Sequence, residues 1–282
     1  MSLSRLLSQP HWFSVGKEVV SLPLAADRIE PQVQRLLCEK GFLRAPYPLD
    51  RLHEVLPSAQ IVLDENYLNA VSRAFYQHDA GLLSAYHDTL RALRVRIGED
   101  FVFQAAPILR FHFPAPFLGK LRTQSGLGLQ QHSDTLGGHP FELLHGWLPL
   151  CSCDGTAALH VSSREEGIAI LSHFFAKIGF DEALYRHGLD AFYRERDRDE
   201  VLQQAIVRAC EPCAMHRGDL LLFEPRCVHG GVENRSARTR VSVDFRLMPV
   251  SVYDAFVRDP HAAQHPRFRS GHLFHAATID SL

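Results

Sequence analysis

The sequence predicts a mainly β fold, a β-sandwich with helices packed around it. Residues 1–100 carry apolar side chains at helical spacing, and residues 101–250 contain a series of short apolar strands that is interrupted at residues 164–206 by charged helical sequence. The chain has 282 residues, 46% hydrophobic and 22% charged, which is enough apolar sequence for a full core. We expect one domain over residues 1–282, because β-sandwiches and barrels reach about 200–250 residues as single units.

Residues 1–100 are predicted to be mostly helical. In DRIEPQVQRLLCEKG the apolar residues recur every three or four positions, and Gly41 is the predicted stop. In DENYLNAVSRAFYQHDAG, Asp64 is the predicted N-cap and Gly81 the predicted stop. The segment LLSAYHDTLRALRVRIGED continues the helical pattern with a stripe of leucines.

The strands of the core are predicted from short apolar or alternating runs that Gly, Pro or Asn residues separate. They are FVFQAAPILRFHF, GKLRTQSGLGLQQHSD, PFELLHGWLPL, TAALHVS, GDLLLFEP and TRVSVDFRLMP. The helical insertion at 164–206 contains REEGIAILSHFFAKIG and EVLQQAIVRAC, and the tail, residues 251–282, is only weakly patterned.

Charge and hydropathy limit the function classes. The net charge is −2, from 30 basic and 32 acidic residues, and no basic stripe favours nucleic acid or a membrane surface. The chain begins without a signal-peptide pattern, and no apolar run reaches the roughly 18 residues of a membrane span, so we expect a cytoplasmic protein that acts on a small molecule. The sequence does not indicate an oligomeric state.

Four of the six cysteines form close pairs, Cys151 with Cys153 and Cys210 with Cys213. Free thiols are the expected state of cytosolic cysteines, and a structural zinc site is the alternative if the two segments meet in space.

Two histidines and one carboxylate form a candidate metal site. On the predicted strand, His132 and Asp134 are two positions apart and therefore share a face. That triplet alone is weak evidence in a chain with 17 histidines and 32 carboxylates. Downstream, His229 follows the apolar strand GDLLLF and precedes a glycine, which leaves room for a close approach. Two histidines and one carboxylate with open positions are the ligand set of non-haem Fe(II) oxygenases.

The succession of His132-x-Asp134, GTAALHVSS and GDLLLF…HGG…NRS…R resembles the Fe(II)/2-oxoglutarate-dependent dioxygenases, nearest their phytanoyl-CoA-dioxygenase-like branch. The resemblance covers about residues 105–250 apart from the insertion, and it implies a double-stranded β-helix, the jelly-roll or cupin-like core. Where this branch usually has Pro-Gly-Ser-His, the chain has Val161-Ser162-Ser163-Arg164, and Gly231 stands where some members have serine.

The resemblance also implies a site and a reaction. His132, Asp134 and His229 would bind Fe(II), and Arg240, eleven residues after His229, would bind the far carboxylate of 2-oxoglutarate. With O₂ as oxidant, the expected reaction is hydroxylation with release of succinate and CO₂, since halogenating relatives lack the carboxylate. Desaturation and ring closure stay open.

Several nearby residues are weaker candidates. Arg246 shares strand parity with Arg240, so it either assists Arg240 or pairs with Asp244, whereas Arg238 has the pattern of a solvated turn residue. Thr156 either adds a hydrogen bond to 2-oxoglutarate or reflects ordinary β-propensity. Five residues are candidates for substrate contact or for simple packing: Gln124, Gln130, His139, His145 and Trp147.

This polar set favours a small polar metabolite such as a sugar, cyclitol or amino-acid derivative. The insertion and the N-terminal helices are predicted to form the lid and walls of its site. Two rival hypotheses are a cupin-like metal enzyme that does not use 2-oxoglutarate and a catalytically silent β-sandwich that binds a ligand.

Overall fold

Helices dominate the first hundred residues of the computed structural model, which describes residues 3–62, 69–75, 79–115, 131–258 and 274–275. The elements of this part are α1 (Leu3–Ser8), β1 (Lys17–Ser21), α2 (Pro23–Glu39), a 3-10 helix (Leu49–Glu54), α3 (Ser58–Ile61), α4 (Ala70–Ala74) and α5 (Ala80–Ile97). None of the described helices combines the length and the apolar character needed to cross a membrane.

The two long N-terminal helices begin and end at residues with clear capping roles. Helix α2 has Pro23 in its first turn, and the chain leaves it through Gly41 at a φ of 76°. Helix α5 starts after Asp79, whose side chain accepts from the Leu82 N–H, and ends at Gly98 in the left-handed conformation. The prediction that Gly81 stops a helix is wrong, because Gly81 lies in the first turn of α5. The predicted cap Asp64 lies outside the described residues.

The remaining elements alternate strands with a helical insertion. They are β2 (Phe101–Gln104), β3 (Ile108–His112), a 3-10 helix (Asp134–Gly137), β4 (Leu144–Pro149), a 3-10 helix (Gly155–Ala157), β5 (Leu159–Val161), α6 (Arg164–Ile178), α7 (Glu182–His187), α8 (Leu189–Arg196), α9 (Glu200–Ala209), β6 (Glu211–Cys213), β7 (Asp219–Phe223), β8 (His229–Gly230), β9 (Arg240–Pro249), α10 (Val250–Arg258) and β10 (Phe274–His275).

The described strands form two antiparallel sheets. The larger has the order β1-β7-β4-β9-β2-β10, with β3 also paired to β9, and the smaller has the order β6-β5-β8. Apolar side chains of the larger sheet, including Trp147 and Phe223, form one buried cluster with Leu159 and Val161 of the smaller sheet. The two sheets therefore pack against each other, which is consistent with the predicted jelly roll.

Strand β9 is buried along its whole length and separates two environments. Successive side chains of a strand point to opposite faces. On one face Val241, Val243, Phe245 and Leu247 belong to the large core cluster that includes α2 and α5. The other face carries Arg240, Ser242, Asp244 and Arg246 toward the interior between the sheets, and we call this the inner face.

The predicted fold class needs one correction. The protein is a mixed α/β protein rather than a mainly β one, because the strands are short and more of the described residues lie in helices than in strands. The predicted strand at TAALHVS is likewise shorter than expected, since it begins as the 3-10 helix Gly155–Ala157. Most of the predicted strand GKLRTQSGLGLQQHSD lies outside the described residues.

The four helices α6–α9 occupy the region of the predicted insertion. Ser163 and Glu166 form a capping box at the start of α6, where the dioxygenase branch usually has Pro-Gly-Ser-His. Phe174, Phe175 and Phe192 form the centre of a separate apolar cluster. Leu136, from the 3-10 helix that begins at Asp134, belongs to the same cluster, so the insertion packs directly on the turn that carries one candidate metal ligand.

Candidate metal centre

Three side chains converge between the two sheets. His132, Asp134 and His229 each offer a ligand atom, and these atoms all lie within 4.8 Å of one another. The Oδ1 atom of Asp134 is 3.5 Å from Nε2 of His132 and 3.7 Å from Nε2 of His229. One carboxylate oxygen and two imidazole nitrogens therefore face a common point.

The backbone brings these residues together in a way that the sequence did not predict. His132 and His229 exchange backbone hydrogen bonds, 2.9 Å from the His132 N–H and 2.8 Å from the His229 N–H. Asp134, however, begins a 3-10 helix, so the prediction that a continuous strand aligns His132 with Asp134 is wrong. Between them, the Ser133 hydroxyl donates to the carbonyl of Pro225 at 2.7 Å and ties this turn to the connection that leads to His229.

Hydrogen bonding and burial prepare His229 as a ligand. Its Nδ1 lies 3.1 Å from the carbonyl of Cys227, a contact that assigns the ring proton to Nδ1 and leaves the Nε2 lone pair toward the common point. Burial, together with the neighbouring His132, lowers the pKa of His229 well below its usual value, so the ring is neutral near pH 7.

The second oxygen of Asp134 is held from behind. Arg246 donates from Nε to Oδ2 at 3.0 Å, and its Nη2 lies 3.0 Å from the same oxygen. Nδ1 of His145 lies 3.2 Å from that oxygen. Burial alone would raise the pKa of Asp134, but the charge of Arg246 and the nearby histidines hold it well below the usual range. Asp134 is therefore ionised, with Oδ1 directed at the two imidazoles.

Arg240 is buried on the inner face without a carboxylate partner among the described residues. Its Nη1 donates to the carbonyl of Ala157 at 3.1 Å, and its guanidinium carbon lies 5.4 Å from the centre of the Trp147 ring. Its Nε has no hydrogen-bond partner in the part of the chain that the structure describes. Asp244 lies four residues after Arg240 on the same face of β9. Its carboxylate pairs with Arg110, at 2.9 Å, and not with Arg240.

The residues that were candidates for substrate contact have different surroundings. His145 stacks on Phe223, with ring centres 4.4 Å apart, and directs its Nδ1 to Asp134. His139 is buried just after the 3-10 helix, and its backbone N–H donates to the carbonyl of Asp134 at 3.3 Å. Trp147 lies against Arg240. Gln124 and Gln130 fall outside the described residues.

The three residues considered for 2-oxoglutarate besides Arg240 also differ. Arg246 contacts Asp134, a partner that neither of the two alternatives for it had included. Thr156 lies in a 3-10 helix beside Ala157, and its hydroxyl accepts from the Arg235 N–H at 2.9 Å. The Arg238 side chain is 51% exposed, 3.9 Å from Asp154 at the surface, as expected for a turn residue.

Among the described residues, the paired cysteines do not form a group with metal-binding spacing. All four are free, and burial raises the pKa of Cys151 to about 11 and that of both Cys153 and Cys210 to about 12. Within the described residues, the group of His, Cys, Asp or Glu side chains with metal-binding spacing is His132, Asp134 and His229.

A comparison with protein families agrees with this geometry. Residues 182–242 match the sequence model of the family described as phytanoyl-CoA dioxygenase (PhyH). The predicted resemblance to the phytanoyl-CoA dioxygenase branch is confirmed. The matched stretch includes His229 and Arg240. Comparison with curated protein sequences gives no match.

Solved structures with a similar course of the chain include EvdMO1, EctD and HygX. EvdMO1 has a TM-score of 0.46 and 15% identity over 84% of this chain and 48% of its own, so this chain spans about half the length of EvdMO1. EctD from S. alaskensis with bound Fe has a TM-score of 0.43 and 15% identity over 89% of this chain and 78% of its own. HygX from Streptomyces hygroscopicus, with nickel and 2-oxoglutarate bound, has a TM-score of 0.41 and 14% identity over 84% of this chain and 83% of its own.

Proposed function

We propose that this protein is an Fe(II)- and 2-oxoglutarate-dependent oxygenase that hydroxylates a small polar metabolite with release of succinate and CO₂. One observation carries the proposal: the His132, Asp134 and His229 ligand set and the buried Arg240, which has no carboxylate partner among the described residues, lie in the same interior between the sheets. The match to the PhyH family supports it.

The three ligands suit a non-haem iron. Two neutral imidazoles and one ionised carboxylate are the donor set of Fe(II) oxygenases, in which the remaining positions stay open. When bound, Fe(II) with 2-oxoglutarate and O₂ supplies the oxidising chemistry. Retention of the carboxylate at Asp134 favours hydroxylation of the substrate over halogenation.

Arg240 would hold the far carboxylate of the co-substrate. A buried guanidinium needs a counter-charge, and a carboxylate that accepts two of its hydrogen bonds meets that need better than any single carbonyl. Burial lowers the pKa of Arg240, but a guanidinium stays charged in proteins. Trp147 supports the guanidinium plane from one side and the Ala157 carbonyl fixes one of its nitrogens, so the side chain is oriented before the co-substrate arrives.

Arg246 and His145 would keep Asp134 in position. Because both hydrogen-bond to Oδ2, they direct Oδ1 to the metal and oppose a rotation that would bring both oxygens onto it. A carboxylate bound through one oxygen leaves more of the coordination sphere for co-substrate.

The proposal is tested by mixing the protein with Fe(II) and 2-oxoglutarate without oxygen and recording the visible spectrum. We expect a weak charge-transfer band, succinate release after O₂ is admitted, and loss of stoichiometric Fe(II) binding in His132→Ala and His229→Ala with a near-native circular dichroism spectrum. The matched control is His216→Ala, which changes an exposed histidine.

Two results would contradict the proposal. Fe(II) binding without any effect of 2-oxoglutarate would favour the cupin-like metal enzyme. Absence of metal binding in the wild-type protein, or full iron occupancy in both histidine variants, would refute the site and favour a silent β-sandwich.

A further inference from the structure

Two polar groups on the inner face of β9 have no hydrogen-bond partner among the described residues. Asp244 is 6% exposed, and its Oδ2 accepts from Nε of Arg110 at 2.9 Å. Its buried Oδ1 accepts no hydrogen bond from the described residues. The hydroxyl of Ser242 is fully buried and likewise has no hydrogen-bond partner among the described residues. An unsatisfied buried acceptor costs free energy, so a ligand that donates hydrogen bonds at this place would be favoured.

These groups lie on β9 between Arg240 and Arg246, on the face whose Arg246 contacts the candidate ligand Asp134. Asp244 pairs in the sheet with Trp147 of β4 on one side and with Ile108 of β3 on the other. The guanidinium of Arg240 extends over Trp147 toward the Ala157 carbonyl, which assigns the β4 and β5 side to the co-substrate. The β3 side carries Arg110, whose side chain is 40% exposed, and this leaves that side for a substrate.

The chemistry of the pair selects against charge. Asp244 is already neutralised by Arg110, so an ammonium group at Oδ1 would bring an uncompensated charge into a buried place, and a carboxylate would meet Asp244 itself. A hydroxyl group donates one hydrogen bond without adding charge. Ser242 and Asp244 are two positions apart on one strand face, about 7 Å between their Cα atoms, so they suit two hydroxyl groups of one molecule.

We infer that Asp244, held by Arg110, and Ser242 form the substrate-recognition wall of the site and that they select a neutral polyhydroxylated molecule, a sugar or cyclitol. This inference rests on the proposed oxygenase function. Among the classes that the sequence allowed, it favours neutral polyols over amino-acid derivatives.

The first experiment measures which molecules stimulate succinate release by the Fe(II)- and 2-oxoglutarate-loaded protein. The probes are myo-inositol, D-glucose and maltose as neutral polyols, glucosamine and glucuronate as charged counterparts, and cyclohexanol as a ring with one hydroxyl. We expect at least one neutral polyol to stimulate succinate release more than glucosamine, glucuronate or cyclohexanol does. Greater stimulation by a charged probe or by cyclohexanol, or no stimulation by any polyol, overturns the inference.

The second experiment tests the two residues with the best polyol. We expect Asp244→Asn and Ser242→Ala each to raise its KM by about tenfold, because each removes or weakens a buried hydrogen bond to substrate. A deoxy analogue that lacks the contacted hydroxyl should show a much smaller ratio between variant and wild type. A purely structural role would raise KM for the polyol and its deoxy analogue alike, and that result refutes the inference.

The charge-transfer band with Fe(II) and 2-oxoglutarate separates this inference from the function on which it rests. If the wild-type protein gives no band, the oxygenase proposal fails. If the band forms but both variants keep the wild-type KM for the polyol, only the recognition wall fails. Asp88→Asn is the matched control, since Asp88 forms surface ion pairs with Arg28 and Arg91.

Discussion

Arg240 and Arg246 lie six residues apart on one strand face, yet their surroundings give them different roles. Arg246 directs its Nε and Nη2 at Oδ2 of Asp134, each at 3.0 Å. Arg240 donates one hydrogen bond to the Ala157 carbonyl and lies against Trp147. Since both side chains are buried and both are charged, the difference between them is the availability of a carboxylate.

We expect Arg240→Ala to raise the apparent KM for 2-oxoglutarate at least about tenfold, because removal of one side of a buried charge pair costs about 2–5 kcal/mol of binding. Fe(II) affinity should stay nearly unchanged. Arg240→Lys should be intermediate, since it keeps the charge and loses the planar fork. Succinate formation at varied 2-oxoglutarate measures the effect, with the exposed Arg238→Ala as control. Normal 2-oxoglutarate binding by Arg240→Ala would show that another group holds the carboxylate.

Arg246→Met should weaken Fe(II) binding by about 10–100-fold, the usual effect of removing a residue that orients a metal ligand. Loss of Arg246 frees the Asp134 carboxylate to rotate and removes the charge that keeps its pKa low. Anaerobic Fe(II) titration measures the affinity, and Arg217→Met, which breaks a surface pair with Asp27, is the control. Equal iron affinity in Arg246→Met and the control would contradict the orienting role.

The segment between α1 and β1 is fastened to the connection that delivers His229. Glu224, at the start of that connection, is completely buried and accepts from Arg226 at 2.9 Å and from Arg164 at 2.9 Å. Arg226 also donates to the carbonyls of Leu7 and Gln9, at 2.6 and 2.9 Å. In α6, a Cβ added at Gly167 would lie only 2.1 Å from the Arg226 carbonyl, so the helix approaches this connection as closely as a glycine permits.

His11 makes this segment sensitive to pH. Its Nε2 lies 3.1 Å from the Leu143 carbonyl and its Nδ1 accepts from the Phe13 N–H at 3.0 Å, an arrangement that the neutral ring satisfies. Burial, opposed by the nearby Glu224, lowers the pKa of His11 from 6.5 to about 4. The unfolded chain therefore takes up a proton between these pH values that the folded protein does not.

We expect His11→Gln to flatten the loss of stability in acid. In the wild-type protein this histidine contributes its full stability above pH 6.5 and loses about 3 kcal/mol of it as the pH falls toward 4. Glutamine keeps a donor and cannot titrate in this range. Urea unfolding at several pH values between 4.5 and 7.5 measures the slope, with the exposed His216→Gln as control. An identical pH slope in wild type and His11→Gln would show that His11 is not buried neutral.

The metal site connects parts of the chain that are far apart in sequence. His132 and His229 lie on two segments joined by a backbone bridge, and the insertion packs on the turn that holds Asp134. The unfolded chain does not assemble this ligand set, so metal binding should stabilise the whole folded protein.

Mn(II), which does not turn over, should therefore raise the melting temperature. At a metal concentration of 100 times Kd, linkage predicts about 2.7 kcal/mol of stabilisation. For a chain of 282 residues, with an unfolding entropy of about 2.1 cal/mol/K per residue, that corresponds to a shift of about 4–5 °C. Differential scanning calorimetry of the wild-type protein, His229→Ala and the control His216→Ala measures it. An equal shift in His229→Ala would place the ion elsewhere.

Local patterns in the sequence were sufficient for much of the fold. Spacing of apolar residues located α2, α5, β4, β7 and β9, because helix and strand periods are properties of neighbouring residues. The same local patterns did not predict where some elements end or where short turns replace a strand. Gly81 lies inside α5 rather than after a helix, and Asp134 begins a 3-10 helix rather than continuing a strand, since capping by Asp79 and packing of Leu136 against the insertion decide those places.

The sequence alone could propose the candidate metal ligands and Arg240, because each lies at a characteristic offset from an apolar strand. It could not propose the partners of the inner-face side chains. Arg246 reaches Asp134 across 112 positions, and Arg110 reaches Asp244 across 134. The pairing of carboxylates with guanidinium groups depends on the register of β9 against β3 and β4. A shift of β9 by one residue would point each of these side chains to the opposite face of the sheet. Alternation places an arginine on a face, but only packing of the two sheets gives it a partner.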